Sequence, residues 1–191
     1  MRRAIVVSCI LVAVAVAGAV ARGDVATPPA ARLEHLDGAR VPAVLIKEWR
    51  KAENKNRCAP VWFDDLGDAN GGRVRATYFS GGWGVVVDKS GLPGRGQGTG
   101  GCPSCGRAVV GMAGAGVIGS ESDTARWPLH KTWPSGMRAG YGLEGFTMGP
   151  DWLAYVLIPG QSCLYNVWSY VGREHLEHLL DHLRIVDLGH P

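Results

Sequence analysis

The sequence predicts an α+β fold built on a mostly antiparallel β-sheet, and three observations carry that expectation. Two pairs of apolar, β-rich runs are each joined by a turn signal, giving hairpins near residues 74–88 and 152–170. A stripe of leucines at helical spacing lies close to the C-terminus. Glycine supplies 28 of 191 residues, which favours many turns and short strands over long helices.

The chain opens with Arg2 and Arg3, an unbroken apolar run from Ala4 to Ala21, and small residues at Ala19 and Ala21 ahead of Arg22-Gly23-Asp24. A charged start, an apolar stretch and a small-x-small site in that order have the form of a secretory signal, so residues 1–21 are expected to be removed. The apolar run is also long enough to serve as a membrane anchor if it stays uncleaved. Either reading places the remaining chain outside the cytoplasm: secreted, periplasmic or in the cell envelope. Residues 22–41 lack a clean period and read as a linker. Residues 42–188 then form a single domain.

Within that domain, Leu45, Trp49 and Ala52 fall on one face of a helix over about 42–54, with Pro42 in its first turn. Val61 to Phe63 is a short strand candidate, followed by a loop rich in Asp and Gly. The run Arg73–Ser80 and the run Trp83–Lys89 flank Gly81-Gly82, a hairpin signal. Val85, Val86 and Val87 are apolar on both faces, as an interior strand requires. A glycine-rich loop covers 91–106, and the apolar run 108–118 reads as a strand because its glycines disfavour a helix. Residues 119–137, with two Trp-Pro pairs, read as irregular chain, and 137–148 as a bent strand. Trp152–Ile158 and Cys163–Tyr170 are strands on either side of Pro159-Gly160. Leu176, Leu179, Leu180 and Leu183 mark an amphipathic helix over about 173–184.

Charge excludes one class of function. Removing Arg2 and Arg3 leaves 18 cationic side chains against 17 carboxylates, too even a balance for a general nucleic-acid binder. Cysteine suggests another constraint. Without Cys9 four remain, an even count that reads as two disulfides in an exported chain; of the three pairings that four cysteines allow, Cys58 with Cys163 and Cys102 with Cys105 is the one expected. Cys102-Pro103-Ser104-Cys105 has the spacing of a thiol–disulfide redox pair, but flexible chain precedes it and glycine-rich chain follows, so no helix N-terminus is placed to activate a thiol.

His175, His178 and His182 share one face of the last helix. His178-x-x-Asp181-His182 is similar to the inverted zincin motif His-x-x-Glu-His, in which a carboxylate activates a zinc-bound water. The resemblance implies two imidazole ligands, with Asp181 in the position of the carboxylate base and a third ligand from upstream, such as His130 or the Asp64/Asp65 pair. A solvated helix face with i, i+4 pairs explains the same spacing without a metal. Asp68-Ala69-Asn70-Gly71-Gly72 starts like a calcium loop but lacks the later ligands and reads as a turn. Gly96-x-Gly98-x-x-Gly101 fits a dinucleotide fingerprint by letters only, with no helix after it. No cofactor is therefore expected.

Seven tryptophans are present, and Trp127 and Trp133, in the proline-rich stretch, are the ones expected at the surface, where they could stack on a sugar or a partner. No complete set of nucleophile, base and acid is evident. The expectation is a binding or structural module, with an extracytoplasmic protein or a glycan as partner. The alternative is an extracytoplasmic enzyme, metal-dependent through the histidines or redox-active through Cys102 and Cys105.

Overall fold

Strand alternation builds the core of this protein. The computed structural model describes residues 33–96, 107–144 and 151–189. Seven strands pair into one antiparallel sheet: β3 (Arg73–Ala76), β4 (Trp83–Lys89), β5 (Arg107–Ile118), β6 (Leu129–Thr132), β7 (Arg138–Glu144), β8 (Asp151–Leu157) and β9 (Cys163–Ser169). Their spatial order is β3-β4-β5-β9-β8-β7-β6, two meanders joined through the β5–β9 pair. A second sheet, in the order β1-β10-β2, contains β1 (His35–Asp37), β10 (Leu183–Asp187) and β2 (Val61–Phe63). The helices are α1 (Ala43–Lys51), α2 (Glu121–Ala125) and α3 (Arg173–Asp181).

The pairing register aligns Val85, Met112, Val167, Ala154 and Tyr141 across five neighbouring strands. All five are buried, because α1, α3 and the small sheet cover this face. The leucine stripe is what covers it: Leu176, Leu179 and Leu180 of α3 and Leu183 at the start of β10 are completely enclosed. Each such side chain contributes roughly 1.5–3 kcal/mol by leaving water. Polar contacts fix the helix against the sheet. Glu177 accepts hydrogen bonds from Tyr141 Oη (2.7 Å) and Arg173 Nε (2.8 Å).

Both expected hairpins form. Pro159-Gly160 turns the chain between β8 and β9, with Gly160 at φ 80° and Gln161 N donating to Ile158 O. The β3–β4 connection is wider than a Gly-Gly turn: Thr77 N bonds Gly84 O, and a tighter turn spans Phe79 to Gly82. The two helices are shorter than their patterns suggest. α1 stops at Lys51 because Ala52 is extended, and the chain beyond it carries Asn54 into the core. There Asn54 Nδ2 donates to the carbonyls of Gly114 and Ala115, where the β5–β9 register shifts. α3 ends at Asp181, and the β-branched Ile185-Val186 segment pairs on both sides as β10 instead. The end of the segment read as a linker supplies β1, parallel to β10. Within the stretch read as irregular, α2 and β6 form. No helix among the described residues is long and apolar enough to cross a membrane.

Cys58 and Cys163 are joined by a disulfide, both enclosed in the core, tying the chain after α1 to the start of β9. Cys102 and Cys105, like the signal segment 1–21, lie outside the described residues. The Cys58–Cys163 bond closes a loop with a sequence separation of 105, so the unfolded chain loses much of its freedom. The Cys58→Ala/Cys163→Ala double variant is expected to lose about 2–5 kcal/mol relative to the oxidised protein, read from urea unfolding midpoints.

Candidate functional site

The same alternation that fills the core leaves a second face on the seven-stranded sheet. One row across it runs Arg75, Val86, Gly111, Trp168, Leu153, Gly142. The next runs Gly84, Ala113, Asn166, Tyr155, Gly140, His130. These rows mix small residues with large aromatic ones, and the mixture shapes the surface. A Cβ at Gly111 would lie 2.0 Å from Trp168 Cζ2, so the indole lies across bare backbone. Phe79, from the β3–β4 connection, stacks on that indole at 6.3 Å between centroids. On the other flank a Cβ at Gly140 would collide with the Thr124 carbonyl, so α2 packs directly onto the sheet. The β3–β4 connection, through Thr77 and Phe79, walls one side, the Arg95–Gly96 segment borders the cleft as well, and the sheet is the floor.

The result is a cleft of about 620 Å³. Phe79, Tyr155, Trp168 and Tyr170 supply flat apolar surface, and Arg75, Arg95, Glu144, Asp151 and Asn166 supply polarity. Arg75 Nε binds Asp88 Oδ2 at 2.6 Å, neutralising one side. Glu144 and Asp151 face one another as cross-strand partners at the end of β7 and β8. Burial, then the neighbouring Asp151 charge, raises the Glu144 pKa, with Arg95 opposing. Burial likewise raises the Tyr170 phenol, against a hydrogen bond from Arg95. On the floor, Asn166 Oδ1 is enclosed and has no hydrogen-bond partner. A buried acceptor left this way costs about 1–3 kcal/mol unless something donates to it.

Trp127 and Trp133 do not form a common strip. Trp127 is half-buried and packs its edge on Tyr155 at 5.3 Å, bracing a cleft residue from behind. Trp133 Nε1 donates to Asp181 at 2.9 Å beside α3. Neither lines the cleft. Its aromatic residues come instead from β8 (Tyr155), β9 (Trp168), the segment just after β9 (Tyr170) and the β3–β4 connection (Phe79). Their period-two pattern in the sequence was the available signal, but it marks both faces of an interior strand alike.

The histidine face divides into two environments. His175 is buried: its Nε2 donates to Leu66 O (3.0 Å), so its Nδ1 accepts from Ser169 Oγ (2.9 Å). Burial lowers its pKa and keeps it neutral, and with both nitrogens engaged it drops out of the expected metal set. The rings of His178 and His182 lie 4.3 Å apart between centroids, tilted by 31°, and face the loop after β2. His178 Nε2 is 3.3 Å from Asp65 Oδ2, and His182 Nδ1 is 2.6 Å from Asp64 Oδ1. Asp181 turns the other way, held by Lys131 Nζ at 2.6 and 2.8 Å, so it does not occupy the position of the zincin carboxylate. His130 sits on edge strand β6, in the cleft-side row.

The calcium-like segment is a turn whose carbonyls at Asp68 and Asn70 are capped by Lys89 Nζ at 2.6 and 2.7 Å. A lysine ammonium thus occupies the place a cation would take. Residues 98 and 101 of the glycine pattern lie outside the described residues.

Adding a methyl group at Gly111 tests the cleft floor. Gly111→Ala is expected to cost about 1–3 kcal/mol through displacement of the indole. In a Trp168→Ala background most of that cost should vanish, a coupling that a double-mutant cycle of urea unfolding energies measures.

No known protein family, curated protein or solved structure matches this chain.

Proposed function

We propose that this chain is an extracytoplasmic binding domain that holds a glycan in the cleft on the uncovered face of its large sheet. The partnerless Asn166 Oδ1 on the cleft floor is the observation that carries this reading. It sits in a row between Ala113 and Tyr155, beside the Trp168 indole, and a rotation of its side chain would present the free acceptor to a ligand's donor. A sugar ring has an apolar face that suits an indole and hydroxyl groups that donate as well as accept. Asp151 and Glu144 offer acceptors at one end of the cleft, and Arg95 offers donors there. An enclosed disulfide and the N-terminal signal pattern support export to an oxidising compartment, where such ligands are met.

A catalytic version of the same reading has one observation in its favour. Glu144 and Asp151 are paired across strands, and the Glu144 carboxyl is held above its usual range, as a general acid requires. In that version the cleft cuts its glycan rather than holding it.

Binding of the disulfide-bonded protein to a glycan array, followed by calorimetry on the best oligosaccharide, tests the proposal. Asn166→Leu should weaken binding roughly 10-fold or more, while raising the stability of the free protein by removing an unsatisfied buried acceptor. Trp168→Ala should weaken it as well. Binding unaffected by both changes, or no binding across the array, would overturn the glycan reading. Chain shortening of the bound oligosaccharide that stops in Glu144→Gln would move the protein from binder to hydrolase.

A further inference from the structure

A second site lies on the opposite, covered side of the sheet, where the end of α3 meets the loop after β2. We propose that Asp65, His178 and His182 bind a divalent transition metal ion, with Zn²⁺ the best match. Each of the three presents a ligand atom within 4.8 Å of the others. The two histidines are one helical turn apart, and their rings already lie 4.3 Å apart between centroids. A metal at about 2 Å from each ligand needs only a small closing of these side chains.

Three further observations point to a cation rather than to a plain ion pair. His178 Nε2 is enclosed and makes no hydrogen bond, although Asp65 Oδ2 lies only 3.3 Å away. The nitrogen and the oxygen face each other without sharing a proton along a hydrogen-bond line. Next, Asp65 is held in place by its other oxygen: Oδ1 accepts from Gly67 N (2.9 Å) and Asn70 Nδ2 (2.6 Å), which leaves Oδ2 for the site.

Finally, His182 has the support that metal-bound imidazoles have. Its Nδ1 donates to Asp64 Oδ1 at 2.6 Å, and Asp64 is in turn paired with Arg184 at 2.9 Å. A carboxylate on one ring nitrogen fixes the tautomer and leaves the lone pair on the other, Nε2. Asp64 is therefore a positioning residue, and Asp65 is a ligand.

Two imidazoles and one carboxylate form a borderline donor set that suits Zn²⁺ over Ca²⁺ or Mg²⁺, which prefer oxygen alone. Three protein ligands leave the fourth tetrahedral position to solvent or to an exogenous group, as in open rather than closed zinc sites. His178 also lines a depression of about 580 Å³ beside the start of α3, which gives that position room. The site draws its carboxylate from the loop after β2, and Asp181 is excluded because Lys131 and Trp133 hold it.

The test uses the tag-free, disulfide-bonded protein stripped with chelator and titrated with zinc chloride by calorimetry, with Co²⁺ visible absorption as a report of ligand geometry. One ion per chain and a tetrahedral Co²⁺ spectrum are expected. His178→Ala, His182→Ala and Asp65→Asn should each weaken Zn²⁺ binding by more than about 100-fold, and Asp64→Asn by about 10-fold or more. Asp181→Asn should leave it unchanged. Zinc should raise the unfolding temperature of the wild type and not of the three ligand variants. Should His178→Ala fail to fold in chelator, as judged by near-UV circular dichroism, His178→Gln and Asp65→Asn carry the same comparison. No zinc binding by the wild type, equal affinities across wild type and ligand variants (an adventitious ion only), or a loss in Asp181→Asn matching that in Asp65→Asn would each overturn the assignment. The cleft variants Asn166→Leu and Trp168→Ala should bind zinc normally, so this result stands or falls independently of the glycan.

Discussion

The antiparallel pair β5–β9 holds this structure together. Each of the two meanders is incomplete without it, since it is the only contact that makes one seven-stranded sheet of them among the described residues. It is a long-range pairing, so it carries a large chain-entropy cost that local hairpins avoid. Two devices offset that cost at one end of the pair. The Cys58–Cys163 bond ties the first residue of β9 to the chain after α1. Asn54, from the same stretch, hydrogen bonds the Gly114 and Ala115 carbonyls where the register of β5 shifts. The helix α1 and the disulfide therefore act on one place, the bulged end of the central pair.

Once β5 and β9 are in register, both faces of the sheet are determined together. Met112 beside Val167 fills the core, and one residue along, Gly111 beside Trp168 and Ala113 beside Asn166 form the cleft floor. A slip of one residue would exchange the two sets and bury Asn166 in place of Val167. Core packing thus enforces the geometry of the surface that we assign to ligand binding. The cleft keeps a partnerless buried amide oxygen and a close-set carboxylate pair, features that oppose folding stability and suit a site whose remaining partners come from a ligand.

The last helix carries a similar division of labour around its circumference. Its leucines enter the core, and Glu177 and Asp181 grip the β6–β7 edge through Tyr141, Lys131 and Trp133. His175 is engaged as a buried neutral strut between Ser169 and Leu66. Only His178 and His182 are left to face the two aspartates after β2. The helix ends there because β10 starts at Leu183, and that strand pairs antiparallel with β2, whose last residue immediately precedes Asp64. The pairing of β10 with β2 is what brings Asp64 and Asp65 to the histidines.

The sequence by itself determined the elements whose evidence is local. The leucine stripe of α3, the both-faces-apolar β4 and the Pro159-Gly160 turn all rest on spacing within a short window. The same spacing placed His178 and His182 one turn apart. It could not end the helices, because Ala52 and His182 leave helical geometry to serve partners far along the chain. It could not tell Asp65 from Asp181 as the carboxylate near the histidines, since Asp64 and His182 are separated by 118 residues and Asp181 is drawn away by Lys131. Nor could it locate the cleft: Arg75, Glu144, Asp151, Asn166 and Trp168 come from four strands, and only the pairing register sets them on one face. Local periodicity says that a strand has two faces, and tertiary packing alone decides which face is covered and which stays open to a ligand.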